Sequence, residues 1–289
     1  MTIANVLTVD LEDWYQGLEI ERADWGRFEA RIWTGCERLL ALLDEADARA
    51  TFFTLSDIAE RHPDLVEEIA RRGHEIGTHG ESHSFVYRQT PDVFRAELRR
   101  SIETLGKLTG QPIISHRAPF FSITTKSWWA LDVLTELGIR CDSSIMPVHN
   151  YRYGIPDAPR RPWRYRGTDG GELVEFPVST IRVLGRNVPA AGGAYFRLYP
   201  YALSRAMMRS VNRAGWPVMF YIHPWELDPE QPRADLPWRI RTTHYHNLRG
   251  TEPRIRRLLR DFTFKPLREV LTWLDDRRMI EAVPAIRSA

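Results

Sequence analysis

Cysteine is scarce: Cys36 and Cys141 are the only two in 289 residues, too few for a disulfide framework. Long apolar runs are missing too, because charged residues interrupt every hydrophobic stretch before it reaches membrane-spanning length. The first residues, Met1 to Asp10, carry neither a basic leader nor the apolar segment of a signal peptide, which sets the expectation of a cytoplasmic protein. Nor is there an excess of one charge. Forty basic against thirty-eight acidic residues leave +2, and the basic residues between Arg254 and Arg260 fit the solvated face of a helix, so nucleic acid is not expected as a partner. Internal repeats and low-complexity tracts are absent as well.

What is present is a chain with 43% hydrophobic and 27% charged residues, enough for one large α/β barrel or two smaller domains. Short apolar runs alternate with amphipathic ones, the pattern of repeated βα units around a parallel sheet. Val6–Val9 reads as a strand, Glu37–Ala46 as a helix with a leucine stripe, and Ala50–Phe53 as the next strand. Pro63 suits the first turn of a helix through Arg72, with Gly73 as its stop, and Thr90-Pro91 opens a helix that reaches Leu108 and is closed by Gly110. Further along, the pattern predicts a strand over Pro112–His116, a helix over Thr124–Leu137 and a strand over Ile139–Cys141. After a long excursion from Pro147 to Gly171, it predicts a helix over Pro200–Ala214, a strand over Val218–Ile222 and two helices over Glu252–Phe262 and Pro266–Asp275.

Polar residues of one chemical kind collect where these strands end. Asp10, Glu12 and Asp13 follow the first strand, His79 and His83 follow Glu75–Gly77, Arg117 follows His116, and His223 follows Ile222. In a barrel of parallel strands, that end is where active sites are built. Taken singly, each residue has an ordinary structural explanation: a hydrogen-bonded core histidine for His223, a salt bridge for Arg117. Taken together, two imidazoles and an acid suit a divalent ion such as Zn²⁺ with positions left for water and substrate. Such an ion polarises a carbonyl and acidifies water. Asp10 is a candidate base, His223 a candidate acid, and Arg117 is placed to keep Asp10 ionised.

The stretches Thr8-Val9-Asp10-Leu11-Glu12-Asp13, His79 to His83, Arg117-Ala118-Pro119-Phe120 and Tyr221-Ile222-His223-Pro224 resemble the ordered motifs of carbohydrate esterase family 4, the NodB-homology polysaccharide deacetylases. Asp142-Ser143-Ser144-Ile145, Gly192-Gly193-Ala194-Tyr195-Phe196-Arg197, His223-Pro224-Trp225-Glu226-Leu227-Asp228-Pro229 and His244-Tyr245-His246-Asn247-Leu248 bring the resemblance closest to the deacetylases of exosortase (PEP-CTERM) exopolysaccharide clusters. Those relatives carry a C-terminal DUF3473 segment. The resemblance implies a distorted (β/α) barrel: one domain over 1–289, with 225–289 as the DUF3473-like part. It implies Asp10 as base, His223 as acid, Arg117 as the tether of the base and the Phe120 N–H as oxyanion donor. His79 and His83 become ligands of a divalent metal, Zn²⁺ first and Co, Ni or Mn as alternatives.

The resemblance also implies an N-acetylated oligo- or polysaccharide substrate, met at the inner face of the membrane, with Tyr195 and Trp225 as walls for a sugar ring. A homo-oligomer is left open. Alternatives are hydrolysis of a cyclic amide or imide, or a carbohydrate-binding relative without catalysis. Leu11 stands where the family has the ligating aspartate, which leaves Asp13 or Glu12 as the third ligand. The usual preference for Asp favours Asp13, whereas sharing the strand face of Asp10 favours Glu12. His116 and Ala194 are further departures, at positions usually aromatic and glycine.

Overall fold

The computed structural model describes residues 3–282. Its first strand, β1 (Asn5–Leu11), is buried along its whole length, as a parallel strand covered on both faces should be. The side chains divide by alternation. Leu7, Val9 and Leu11 join an outer core with Phe52, Ile76 and Phe220, whereas Val6 joins an inner core with Phe53, Met219 and Tyr221. Thr8 and Asp10 share the parity of Val6, and the Arg117 guanidinium reaches both at 2.7 Å. The period of two therefore delivers an acid to the inside of the barrel.

The remaining strands are β2 (Thr51–Thr54), β3 (Glu75–Thr78), β4 (Ser115–His116), β5 (Cys141–Asp142), β6 (Trp163–Arg166), β7 (Glu172–Glu175), β8 (Thr180–Val183), β9 (Arg186–Pro189), β10 (Met219–Ile222), β11 (Phe264–Lys265) and β12 (Glu281–Ala282). Among the described residues, β1 and nine of these form one sheet in the order β10-β1-β2-β3-β4-β5-β7-β6-β12, with β11 beside β1. From β10 to β7 every pairing is parallel, with Val9 opposite Ile222, Asp10 opposite Phe53, Thr54 opposite Thr78 and Asp142 opposite Glu175. Ser179, just past β7, links to β10 through two contacts with Met219, accepting its N–H at 2.9 Å and donating to its carbonyl at 3.4 Å. The sheet thus curls toward a distorted barrel. Helices pack outside it. The helix Ile32–Glu45 buries Leu39, Leu40, Leu42 and Leu43, each contributing about 1.5–3 kcal/mol.

Several expectations shift. The strand over Pro112–His116 shortens to Ser115–His116, and the helix over Thr124–Leu137 breaks into a 3₁₀ turn, Thr125–Ser127, and a helix, Ala130–Glu136. Thr124 and Ser127 form a reciprocal cap that starts the first turn. Within the Pro147–Gly171 excursion lies β6, which pairs antiparallel with β7. The β8–β9 hairpin turns through Leu184 and Gly185, both at positive φ. Such a turn normally announces itself by Asn-Gly or Asp-Gly; a leucine in the first place hides it.

Candidate functional site

β1 ends by bending. The Glu12 N–H bonds back to the Asp10 carbonyl at 3.0 Å, and the turn sends the neighbouring carboxylates Glu12 and Asp13 in different directions. Asp13 goes to the outer helix: its carboxylate accepts the N–H groups of Trp14, Arg31 and Ile32 at 2.8, 2.8 and 3.1 Å. It therefore caps the helix Ile32–Glu45 from a distance, where the exposed N–H groups and the dipole favour an anion. Burial raises its pKa to about 6 in spite of those three bonds. Asp13, favoured above as the metal ligand, is thus spent on a helix end, and that expectation is corrected.

Glu12 instead turns inward. Its Oε2 lies 2.6 Å from His83 Nε2 and 3.8 Å from His79 Nε2, and its Oε1 lies 3.6 Å from His223 Nε2. The Trp225 indole N–H donates to Oε1 at 3.2 Å. A Cβ at Gly17 would come within 2.8 Å of the same oxygen, so only glycine leaves Glu12 its place. Burial would raise the Glu12 pKa, but the facing imidazoles of His83 and His223 hold it well below the ordinary carboxylate range.

The histidine pair follows β3. His79 continues the strand path, and Gly80 and His83 at φ +80° and +51° fold the chain back so that both rings face Glu12. His79 Nδ1 sits 2.7 Å from the Arg117 carbonyl, an acceptor only, so Nδ1 carries the proton and Nε2 keeps its lone pair. Burial pushes its pKa down to about 4. His83 is buried with neither ring nitrogen in a hydrogen bond, its 2.6 Å approach to Glu12 being out of hydrogen-bond alignment. One atom each from Glu12, His79 and His83 lies within 4.8 Å of the others, the one such cluster among the described residues. Two imidazoles and a carboxylate converging on one point, with His79 Nε2 left free by the Nδ1 bond to Arg117, fit a divalent ion.

Asp10 stands beside this cluster. Arg117, fully buried, donates to it at 2.7 Å, and to Thr8, the Ser143 carbonyl and the Ser143 hydroxyl at 2.7, 3.0 and 2.9 Å. The guanidinium also lies over the Phe53 ring at 4.5 Å. Opposite, His223 Nε2 is 3.8 Å from Asp10 Oδ2. Its Nδ1 bonds Glu226 at 2.8 Å, and Glu226 is gripped by Arg197 at 2.6 Å. Burial would lower the His223 pKa, but Glu12, Glu226 and Asp10 together raise it to about 9. Burial would raise that of Glu226, yet Arg197 and His223 bring it down to about 2.

Glu226 and Arg197 were not singled out from the sequence. Both lie inside motifs quoted above, and the spacing of three from His223 to Glu226 on a turn beginning with Pro224 is the signal that could have found the first.

Phe120 and Phe121 hold φ of +56° and +53°, a costly conformation for bulky residues that tends to mark functional loops. Phe120 meets the His83 ring edge-on at 4.5 Å. With Asp10, Glu12, His79, His83, His223 and Trp225 it lines a cavity of 160 Å³. Trp225 departs from expectation: it is 8% exposed and stacks on His223 at 4.9 Å and on His244 at 4.1 Å. So buried, it leaves little open ring for a sugar, and it holds Glu12 and His223. Tyr195 lines a neighbouring cavity. His116 bonds Asp142 at 2.8 Å behind the site.

Residues 28–141 match the family model described as polysaccharide deacetylase, and residues 143–272 match DUF3473, a domain of unknown function. The second match begins well before residue 225. A stretch of 118 residues, 37% of this chain, is 29% identical to a peptidoglycan-N-acetylglucosamine deacetylase of Bacillus cereus and covers 43% of it. The chain spans less than half the length of the first curated relatives it matches. In fold it is similar to a Mycobacterium smegmatis structure designated a polysaccharide deacetylase, at TM-score 0.68 and 21% identity over 99% of this chain and 94% of that one. It is also similar to Puue allantoinase, at TM-score 0.62 and 15% identity over 96% and 91% of the two chains. At such identities the likeness speaks for the barrel alone.

Proposed function

Because residues 28–141 match the polysaccharide deacetylase family model, we propose that the chain is a metal-dependent hydrolase removing N-acetyl groups from sugar units of an exopolysaccharide or its precursor. The observation that carries this reading is the pairing across one cavity of an arginine-held acid, Asp10, with a carboxylate-held imidazole, His223, at 3.8 Å. Glu12, His79 and His83 would hold the divalent ion, with Zn²⁺ the natural candidate for this donor set, and the ion when bound supplies Lewis-acid polarisation of the acetamide carbonyl and acidifies water.

The residues of the chain do the rest. Arg117 donates to Asp10 Oδ1, which leaves Oδ2 on the cavity side as the oxygen that takes a proton from the attacking water. The Phe120 N–H is assigned to the oxyanion. His223, kept protonated by its three carboxylate neighbours, gives its Nε2 proton to the departing amine as acetate is released. Glu226 accepts the Nδ1 proton and so holds the ring with Nε2 toward the cavity, and Arg197 keeps Glu226 ionised.

No helix among the described residues is long and apolar enough to cross a membrane. The proposed encounter with a lipid-linked precursor is at the inner membrane face. The test is acetate release from a panel of N-acetylhexosamine oligomers, before and after chelation and with Zn²⁺ restored. Chelation should abolish release and Zn²⁺ restore it. No release from any oligomer with metal present would sink the reading.

A further inference from the structure

Beside the catalytic cavity lies a second one of 460 Å³, a size within the ordinary range of small-molecule sites. The two share walls: Arg152, Tyr153, Ala194, Tyr221, Ile240 and Thr243 line both. The second cavity adds Tyr151, Tyr195, Leu198 and Trp238. Tyr151 is 80% exposed, Trp238 66% and Leu198 41%, so three large apolar side chains left open to solvent converge on one place next to the catalytic groups. Isolated exposed apolar residues need no explanation, but a group of them rimming a cavity does.

Trp238 is not on a loose flap. It opens the helix Trp238–Tyr245, and Arg197 reaches under that helix to bond the carbonyls of Thr243, His244 and His246 at 2.8, 2.9 and 2.7 Å. The same guanidinium holds Glu226, and through it His223. The aromatic rim and the catalytic acid are therefore built on one buried arginine, and the platform is organised before anything binds.

The lining chooses among occupants. No carboxylate lines the cavity, and its charged groups are Arg152 and Arg239, which argues against a cation. Asn150, Thr242 and Thr243 add hydrogen-bonding groups to the aromatic walls, and Arg152, ion-paired to Glu19 at 2.8 Å, lines both cavities. Flat aromatic faces with donors spaced around them suit a pyranose, which offers C–H faces and a rim of hydroxyls. An acyl chain would leave those donors unsatisfied.

The geometry points to a saccharide subsite here, one that takes the sugar adjoining the unit whose acetamide enters the catalytic cavity. The protein then recognises a chain of at least two sugars. Segment 143–272, matched only to a domain of unknown function, supplies both this subsite and the catalytic acid. This inference rests on the deacetylase reading above.

The experiment compares kcat/KM for acetate release from N-acetylglucosamine and from its dimer and tetramer, in the wild-type holoenzyme and in Trp238→Ala. Leu203→Ala, exposed on the helix Tyr201–Arg213 and lining neither cavity, serves as control. The wild type should favour the tetramer over the monomer by more than tenfold. Trp238→Ala should cut that ratio about tenfold through KM, and Leu203→Ala should leave it unchanged. Equal turnover of monomer and tetramer by the wild type, or an unchanged ratio in Trp238→Ala, would overturn the subsite while leaving the deacetylase reading intact. If no substrate releases acetate, that reading has failed on its own. Calorimetric titration with the tetramer then decides the subsite: binding lost in Trp238→Ala supports it, and no binding to the wild type overturns it.

Discussion

His79 and His83 reach the cavity from the N-terminal half of the barrel, His79 bonded through Nδ1 to a backbone carbonyl and His83 with neither ring nitrogen hydrogen-bonded, whereas His223 arrives from the C-terminal half bonded to Glu226, which is itself bonded to Arg197. Burial pushes both His79 and His223 toward the neutral form. His79 follows burial down to about 4, its only close bond being to a neutral carbonyl. His223 goes the other way, to about 9, because three carboxylates lie within 4 Å of its ring. One fold thus makes two kinds of histidine with the same side chain. His79, neutral, is in the state a metal requires, and the charged His223 is in the state an acid requires.

The sharpest way to break this contrast is to remove the group that serves the proton side without touching the metal side. Asp10→Asn keeps the shape and the Arg117 contact but cannot take a proton, so acetate release should fall by about a thousandfold or more while elemental analysis still finds stoichiometric metal. Loss of both together would mean that Asp10 belongs to the metal side. The converse change is Glu12→Ala, which should lose the ion and, with it, activity. Asp13→Asn should keep both and lower stability by about 1 kcal/mol through the weakened helix cap, read as a shifted urea midpoint.

A smaller effect is expected when the environment of His223, rather than the residue itself, is altered. Glu226→Gln removes one of the three charges that raise its pKa, so the alkaline limb of the rate profile should move to lower pH. The sign follows from the role: the acid is needed protonated, activity is lost as pH rises through its pKa, and a lower pKa brings that loss earlier. An alkaline limb that does not move would separate His223 from the acid role.

Much of this was legible beforehand, for identifiable reasons. The alternation in β1 puts Asp10 and Glu12 on one parity, and strand ends followed by polar residues marked Arg117 and His223. Asp13 could not be separated from Glu12 by sequence, because the bend at Glu12 and the helix end that captures Asp13 are tertiary facts. Trp225 looked like a sugar wall since an aromatic beside a catalytic residue reads alike whether its faces are open or, as here, stacked on two imidazoles. The helix Trp238–Tyr245 escaped notice because it has little amphipathic pattern: its position comes from Arg197 bonding its carbonyls rather than from a buried stripe.

The smallest expected effect on the site concerns the opposite end of β3. His74 precedes that strand as His79 follows it, and it is also buried with its pKa pushed down to about 4 by desolvation, aided by Arg49. Its surroundings differ. Nδ1 accepts the Ala50 N–H at 3.2 Å, the ring lies 5.1 Å from Phe52, and no acid stands at ion-pair distance among the described residues, so it is a core group with no part in the chemistry. The unfolded chain takes up the His74 proton near pH 6.5 and the folded chain only near 4. The His74 contribution to stability is therefore complete above 6.5 and declines as pH falls through that window, by about 2 kcal/mol between pH 7 and 5. His74→Gln removes the titration and should flatten the fall of the urea midpoint over that range by that amount, with acetate release at neutral pH unchanged. Equal slopes in the two proteins would show that the fold does not hold His74 neutral, and the contrast between the two ends of β3 would then have to rest on their partners alone.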